Sequence, residues 1–133
     1  MAINEIIESQ EEALSLLEEN NEKNIGVLFI TKKGIGDNST QATNLLIKLL
    51  TSIIQIKNKP KYIIFSGNSI FLLNENEEIV KIISMLKEYN INILICDDSL
   101  KEHKIELKKK VCNIANLSDI LKILFSETKV ITI

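Results

Sequence analysis

The sequence contains no arginine and no tryptophan, and all 16 of its basic residues are lysines. Without guanidinium groups the chain has no planar, bidentate donor for phosphates or base edges, which disfavours nucleotide and nucleic-acid recognition. The net charge of −2, with both signs mixed along much of the chain, provides no broad basic surface. Nucleic acid is therefore not an expected partner.

Metal-binding and disulfide-forming residues are also scarce. The 133 residues include two cysteines, Cys96 and Cys112, one histidine, His103, and no Cys-x-x-Cys pair. These counts disfavour a zinc site and indicate reduced thiols, with Cys112 interpreted as core. No run approaches the ~18 apolar residues of a membrane helix, and the acidic N-terminus lacks the basic region of a secretory signal. We expect a cytoplasmic domain with no membrane contact, metal or cofactor.

Short apolar runs alternate with helical segments along most of the chain. Strands that are apolar on both faces are typical of parallel sheets covered by helices on each side. The pattern predicts a three-layer α/β/α domain over residues 25–133, of the flavodoxin or Rossmann type, with a five-stranded parallel sheet. The predicted strands are Ile25–Ile30, Tyr62–Phe65, Ile91–Cys96, Val111–Ile114 and Lys129–Ile133.

Residues 1–24 are predicted to form an N-terminal helix and a linker. Apolar residues recur at helical spacing over residues 3–19, and a polar run over residues 20–24 follows them. The helix either packs on the side of its own domain or is an arm that docks on another subunit or domain. The apolar stripe consists of Ile3, Ile6, Ile7, Leu14 and Leu17.

Cys96 is the candidate catalytic residue, because it ends the third predicted strand. Ligands of open α/β sheets bind at the carboxyl ends of strands. The N-terminus of the helix that follows stabilises a thiolate, whereas the carboxylates of Asp97 and Asp98 disfavour it. The alternative interpretation is a small apolar residue that completes a buried strand.

Five further residues are candidate site neighbours. Ser99 either supplies a hydroxyl to the site or forms a capping box with Glu102. His103, one helical turn further on, is expected near the same end of that helix. The loops after the second and fourth strands contribute hydrogen-bonding amides. The candidates are Asp98, Ser99, Asn68, Asn116 and His103.

The loop Gly34–Ser39 follows the first strand and precedes a helix predicted over residues 40–56. Its glycine pattern lacks the third glycine of a dinucleotide-binding loop, so a small-ligand site there is a weaker hypothesis. The alternative is a loop whose glycines supply positive φ. Two pairs resemble helix caps, Asn38 with Gln41 and Asn74 with Glu77.

Several stretches, taken in order, resemble the DsrE/DsrF-like sulfur-relay family. Within it, the chain is most similar to the C-terminal domain of YedF-type selenium-metabolism proteins. The resemblance implies a five-stranded parallel domain that forms homo-oligomers and in which a cysteine at a strand end can carry sulfur as a persulfide. The stretches are Val27–Lys32 with Gly34–Asp37, Pro60–Phe65, Asn92–Cys96 with Leu100, Ile114–Leu117 and Lys129–Ile133.

The loop after the third strand departs from the YedF-like pattern. Cys-Gly-Thr-Cys-Leu in such proteins corresponds to Cys96-Asp97-Asp98-Ser99-Leu100 here, so this loop has no second thiol. The resemblance predicts a single-cysteine relay of sulfur or selenium at Cys96, with a donor or acceptor protein as partner. The alternative is an oligomeric binding or scaffold domain that has lost the chemistry.

Overall fold

Five parallel strands form one sheet through the centre of the described chain. The structure is a computed structural model that describes residues 24–133, so the predicted helix over residues 3–19 lies outside the described residues. The strand order is β4-β3-β2-β1-β5, which the sequence pattern did not predict. The strands are β1 (Val27–Ile30), β2 (Tyr62–Phe65), β3 (Asn92–Cys96), β4 (Asn113–Ala115) and β5 (Val130–Thr132).

The connections between these strands are helical, which confirms the predicted α/β class. Among residues 24–133, none of the helices is long and apolar enough to span a membrane. A 3₁₀-helix, Gly67–Phe71, follows β2. The α-helices are α1 (Thr40–Ile53), α2 (Leu72–Glu75), α3 (Glu77–Lys87), α4 (Asp97–Glu102) and α5 (Leu117–Ser126).

The two faces of the sheet are covered unequally. Successive side chains of a strand point to opposite faces, so Leu28 and Ile30 enter the large core beneath α1 and α3. Val27 enters a smaller cluster on the other face, together with Cys96 and with Ile120 of α5. Among the described elements, α5 is the long helix on that second face. Within residues 24–133, Cys96 therefore lies on the more thinly covered side of the sheet.

The residue that caps α1 differs from the predicted one. Ser39, not Asn38, is the N-cap, and its Oγ accepts a hydrogen bond of 3.1 Å from the backbone N–H of Ala42. The Asn38 carboxamide instead accepts from the N–H of Lys33, at 2.9 Å. The prediction failed because an asparagine oxygen can serve a loop as well as a helix end.

The prediction of Asn74 as a cap was also wrong. Asn76 caps α3, and its Oδ1 accepts from the N–H of Ile79 at 3.0 Å. Asn74 lies in the preceding short helix and joins distant backbone, because it donates to the carbonyl of Glu106 and accepts from the N–H of Lys108.

The fourth strand begins two residues later than predicted. It spans Asn113–Ala115, paired in register with the end of β3. Cys112 therefore precedes the strand, although its burial in the main core agrees with the prediction. Desolvation by this burial raises the pKa of the Cys112 thiol to about 11, so the thiol stays protonated at neutral pH.

Candidate functional site

The carboxyl ends of three neighbouring strands bring a row of polar residues together. Phe65 pairs in register with Ile30 of β1 and Ile95 of β3. Ser66, the next residue, therefore lies between Thr31 and Cys96. The residues just before these three, Ile30, Phe65 and Ile95, point into the main core beneath α1. Because successive side chains of a strand point to opposite faces, Thr31, Ser66 and Cys96 lie on the α5 side of the sheet. This carboxyl-edge row is where an α/β sheet places its ligands.

Cys96 lies at this edge but beneath the surface. It ends β3, serves as the N-cap residue of α4 and is only 1% exposed. Its neighbours in the second cluster are the aliphatic residues Val27, Ile64 and Ile120. The predicted position is therefore right, and the surroundings are those of a packed thiol.

Ser99 does not cap a helix, which corrects the capping-box interpretation. The helix α4 begins at Asp97, so Ser99 already lies within its first turn. Its Oγ accepts a hydrogen bond of 3.0 Å from the N–H of Gly67 and lies 3.2 Å from the Oγ of Ser66. Ser99 thus bridges the segment after β3 to the loop after β2.

Ser66 is a site residue that the sequence reasoning missed as a site neighbour. Its position directly after the second strand could have indicated this role. Its N–H donates to the buried Oγ of Ser69 at 3.0 Å, and that hydroxyl donates to the carbonyl of Ile30 at 2.6 Å. The end of β1 and the start of the second loop are therefore joined by a buried hydroxyl.

Asn68 enters this arrangement through its backbone. Its N–H donates to the carbonyl of Thr31 at 3.1 Å, while the residue itself is exposed. Gly67, just before it, has a φ of +58°, and a Cβ there would lie 2.8 Å from the same carbonyl oxygen. The loop therefore requires glycine at this point.

Asp98 and Asn116 meet at the N-terminus of α5. The Asp98 Oδ1 accepts from the N–H of Leu117 at 3.2 Å, and the Asn116 Oδ1 accepts from the N–H of Asp119 at 2.8 Å. A carboxylate is favourable there because it faces the positive end of the helix dipole. Asp98 thus joins α5 to the segment after β3, whereas Asn116 caps α5 itself.

Two side chains that follow Cys96 in sequence, Lys101 and His103, have other contacts. Lys101 forms an ion pair of 2.9 Å with Asp97, and this hydrogen bond raises the pKa of the Lys101 ammonium. His103 was expected near the same end of α4 as Ser99, but it is the C-cap residue of that helix. Its ring packs edge-on against Phe71, with centroids 5.1 Å apart.

The glycine loop folds back onto its own helix. A Cβ on Gly34 would lie 2.1 Å from the backbone of Ala42, and Gly36 has a φ of +91°. The N–H groups of Lys33, Ile35 and Ser39 are hydrogen-bonded within the chain. This pairing argues against the loop as a phosphate cradle.

Metal-binding side chains do not cluster within residues 24–133. Within residues 24–133, no group of three His, Cys, Asp or Glu side chains is placed to hold a metal ion.

The outer side of α5 carries a second feature, an exposed apolar stripe. Its members recur every four residues and therefore lie on one face of the helix. The inner side of the same helix is apolar too, with Ile120 fully buried. The α5 stripe consists of Leu117, Leu121 and Phe125, which are 48%, 50% and 82% exposed.

Comparison with known proteins identifies the family of this arrangement. The DsrE/DsrF-like family model matches residues 26–133. The ychN protein from E. coli has a similar structure, with a TM-score of 0.61 and 12% identity over 82% of this chain and 99% of that one. MTH1491 from Methanobacterium thermoautotrophicum, a protein of unknown function, matches with a TM-score of 0.61 and 12% identity over 83% and 100%. No curated protein sequence matches. At this identity the two structures support the fold alone.

Proposed function

Because the chain belongs to the DsrE/DsrF-like family, which is linked to sulfur relay, we propose that it is a self-associating, binding component of such a relay. The burial of Cys96 carries this proposal. A sulfur acceptor must bring its thiolate onto the sulfur of a donor, and a thiol that is 1% exposed requires local opening first. Cys96 in this role is a packing residue of the second cluster.

The α5 stripe supports self-association. A helix that is apolar on its inner and outer sides is typical of a covered helix, and α5 has this character. The stripe presents three large side chains, of which Phe125 is 82% exposed. Exposed apolar patches of this kind mark interaction sites. The partner we propose for the stripe is a second copy of this chain.

A second candidate function is that of a single-cysteine sulfur acceptor at Cys96. Its position favours this function, because the residue is the N-cap of α4 and neighbours Ser66 in the carboxyl-edge row. The Cys96 thiolate would attack the terminal sulfur of a donor persulfide. The donor S–S bond breaks, a new S–S bond forms on Cys96, and the donor leaves as a thiolate. A selenium donor would undergo the same displacement, as expected from the predicted similarity to YedF.

Mass spectrometry of the intact chain separates the two candidates. Wild type, Cys96→Ser and Cys112→Ser are incubated with a small-molecule persulfide, and circular dichroism checks that each variant is folded. The binding-component proposal expects no sulfur adduct on any folded chain, and adducts on wild type once urea unfolds it. An adduct on folded wild type and Cys112→Ser, but not on Cys96→Ser, would establish the acceptor instead.

Sedimentation tests the self-association separately. Phe125→Glu places a charge in the α5 stripe and should yield monomers. Met85→Glu is the matched control, because Met85 is 45% exposed on α3, outside the stripe. Wild type and Met85→Glu should sediment alike as oligomers. A monomeric wild type at high micromolar concentration refutes self-association through this stripe.

A further inference from the structure

An apolar groove opens on the face of the sheet opposite Cys96. It runs between the last turns of α1 and the edge strand β5, with a cavity volume of about 430 Å³. It exists because α1 leaves β5 uncovered, so that Ile131 is 49% exposed although it pairs with the buried Leu28. Its aliphatic lining includes Ile25, Leu49, Ile53, Ile56 and Ile131.

We propose that this β5 groove binds residues 3–19 of the same chain as an amphipathic helix. The inference is independent of the proposed function. This segment joins the domain beside the groove. Asn24 is fixed by hydrogen bonds from its Nδ2 to the carbonyls of Tyr89 and Asn90, and the next residue, Ile25, forms the groove wall and is 54% exposed. Only residues 20–23 lie between the predicted helix and Asn24, and four residues span at most ~14 Å.

The segment has apolar residues at helical spacing. The spacing predicts one apolar stripe on a helix, consisting of Ile3, Ile6, Ile7, Leu14 and Leu17. A helix of this length is ~25 Å long and marginal in water alone, so it needs a surface to pack against. The groove offers aliphatic side chains of matching character next to the linker.

The segment and the described domain also differ in charge. Residues 1–22 contain seven glutamates and no lysine, whereas residues 24–133 contain 15 lysines and 11 acidic residues. The two parts therefore carry opposite net charges and attract each other. Lys129 lines the groove, and Lys59 and Lys61 flank its Pro60.

The β5 groove suits this segment as a docking surface better than the α5 stripe does. Ile25, which joins the segment to the sheet, lines the groove. The α5 stripe lies on the other face of the sheet, and it lacks such continuity with the linker.

Hydrogen exchange of the full-length chain tests the proposal. Amides of residues 3–19 should be protected in wild type. Ile131→Glu should lower that protection at least about tenfold and leave β2 and β3 unchanged. Leu121→Glu is the matched control, since Leu121 is 50% exposed on the α5 stripe. It should leave the segment protected.

A second pair of variants keeps the test independent of domain stability. Leu14→Glu changes the apolar stripe and should release the segment, whereas Ser15→Glu adds the same charge one position away and should not. Three results overturn the proposal: unprotected amides over residues 3–19 in wild type, release by Leu121→Glu but not by Ile131→Glu, or protection that is lost on dilution. The last result would mean that the segment docks on a second copy.

Discussion

The hydroxyl of Ser99 provides the sharpest test of the carboxyl edge. Replacing Ser99 by alanine removes the acceptor of the Gly67 N–H, at 3.0 Å, and the 3.2 Å contact with Ser66. The two serines are 33 residues apart in sequence, so the change acts on the joining of β2 to β3. We expect Ser99→Ala to lower the free energy of unfolding.

The size of the effect follows from the environment of these groups. A hydrogen bond contributes about 1 kcal/mol net, and a buried donor left without a partner costs about 1–3 kcal/mol. Because both serines and Gly67 are half-buried, water satisfies the freed groups in part. We therefore expect a loss of about 1–2 kcal/mol. With an m-value of ~1.5 kcal/mol/M, the urea midpoint falls by about 1 M.

Urea unfolding followed by circular dichroism measures this loss, and Glu102→Ala is the decisive control. If Ser99 formed a capping box with Glu102, Glu102→Ala would lower the free energy of unfolding. Because Ser99 lies inside α4, we expect that variant to be nearly neutral. Combining Ser99→Ala with Ser66→Ala should give non-additive losses, because the two hydroxyls touch. A neutral Ser99→Ala together with a destabilised Glu102→Ala would refute the bridge.

Three further predictions concern the loops and helix ends of the same domain. Gly67→Ala should lower the free energy of unfolding, measured in urea, by about 2–3 kcal/mol, because its Cβ would meet a carbonyl oxygen. Gly36→Ala should lower it by about 1 kcal/mol, because its Cβ would meet open space. Equal losses for the two variants would contradict the close approach at Gly67. Asp98→Ala should lower the free energy of unfolding by about 1 kcal/mol and Asp98→Asn by less, and a neutral alanine variant would show that the contact with α5 is unimportant. The hydrogen bonds to Ser39 lower the pKa of Asp37, so its NMR titration should fall below 3.8. The stability it contributes should be present above pH 3.8 and disappear at lower pH, and Asp37→Asn should lack this change.

Local patterns were sufficient for most of the fold. Each strand of residues 24–133 and the helix after the first strand were predicted, because apolar periodicity is a property of consecutive residues. The position of Cys96 at a strand end followed from the same pattern. Two of the errors lay at helix caps, where Asn38 and Asn74 had the right chemistry for a helix end but bonded elsewhere. An asparagine side chain can accept from a helix end or from a loop, and the tertiary structure determines which N–H group lies within its reach.

The sequence by itself determined the elements, the three-layer class and the scarcity of groups for metal or phosphate binding. Only the tertiary structure decided the strand order, the bridge from Ser99 to Ser66 and the burial of Cys96. Burial and long-range hydrogen bonds depend on which segments become neighbours, and the pattern along one chain does not encode that pairing. For the same reason the β5 groove and the α5 stripe emerged only once α1 and α5 were placed on their faces of the sheet.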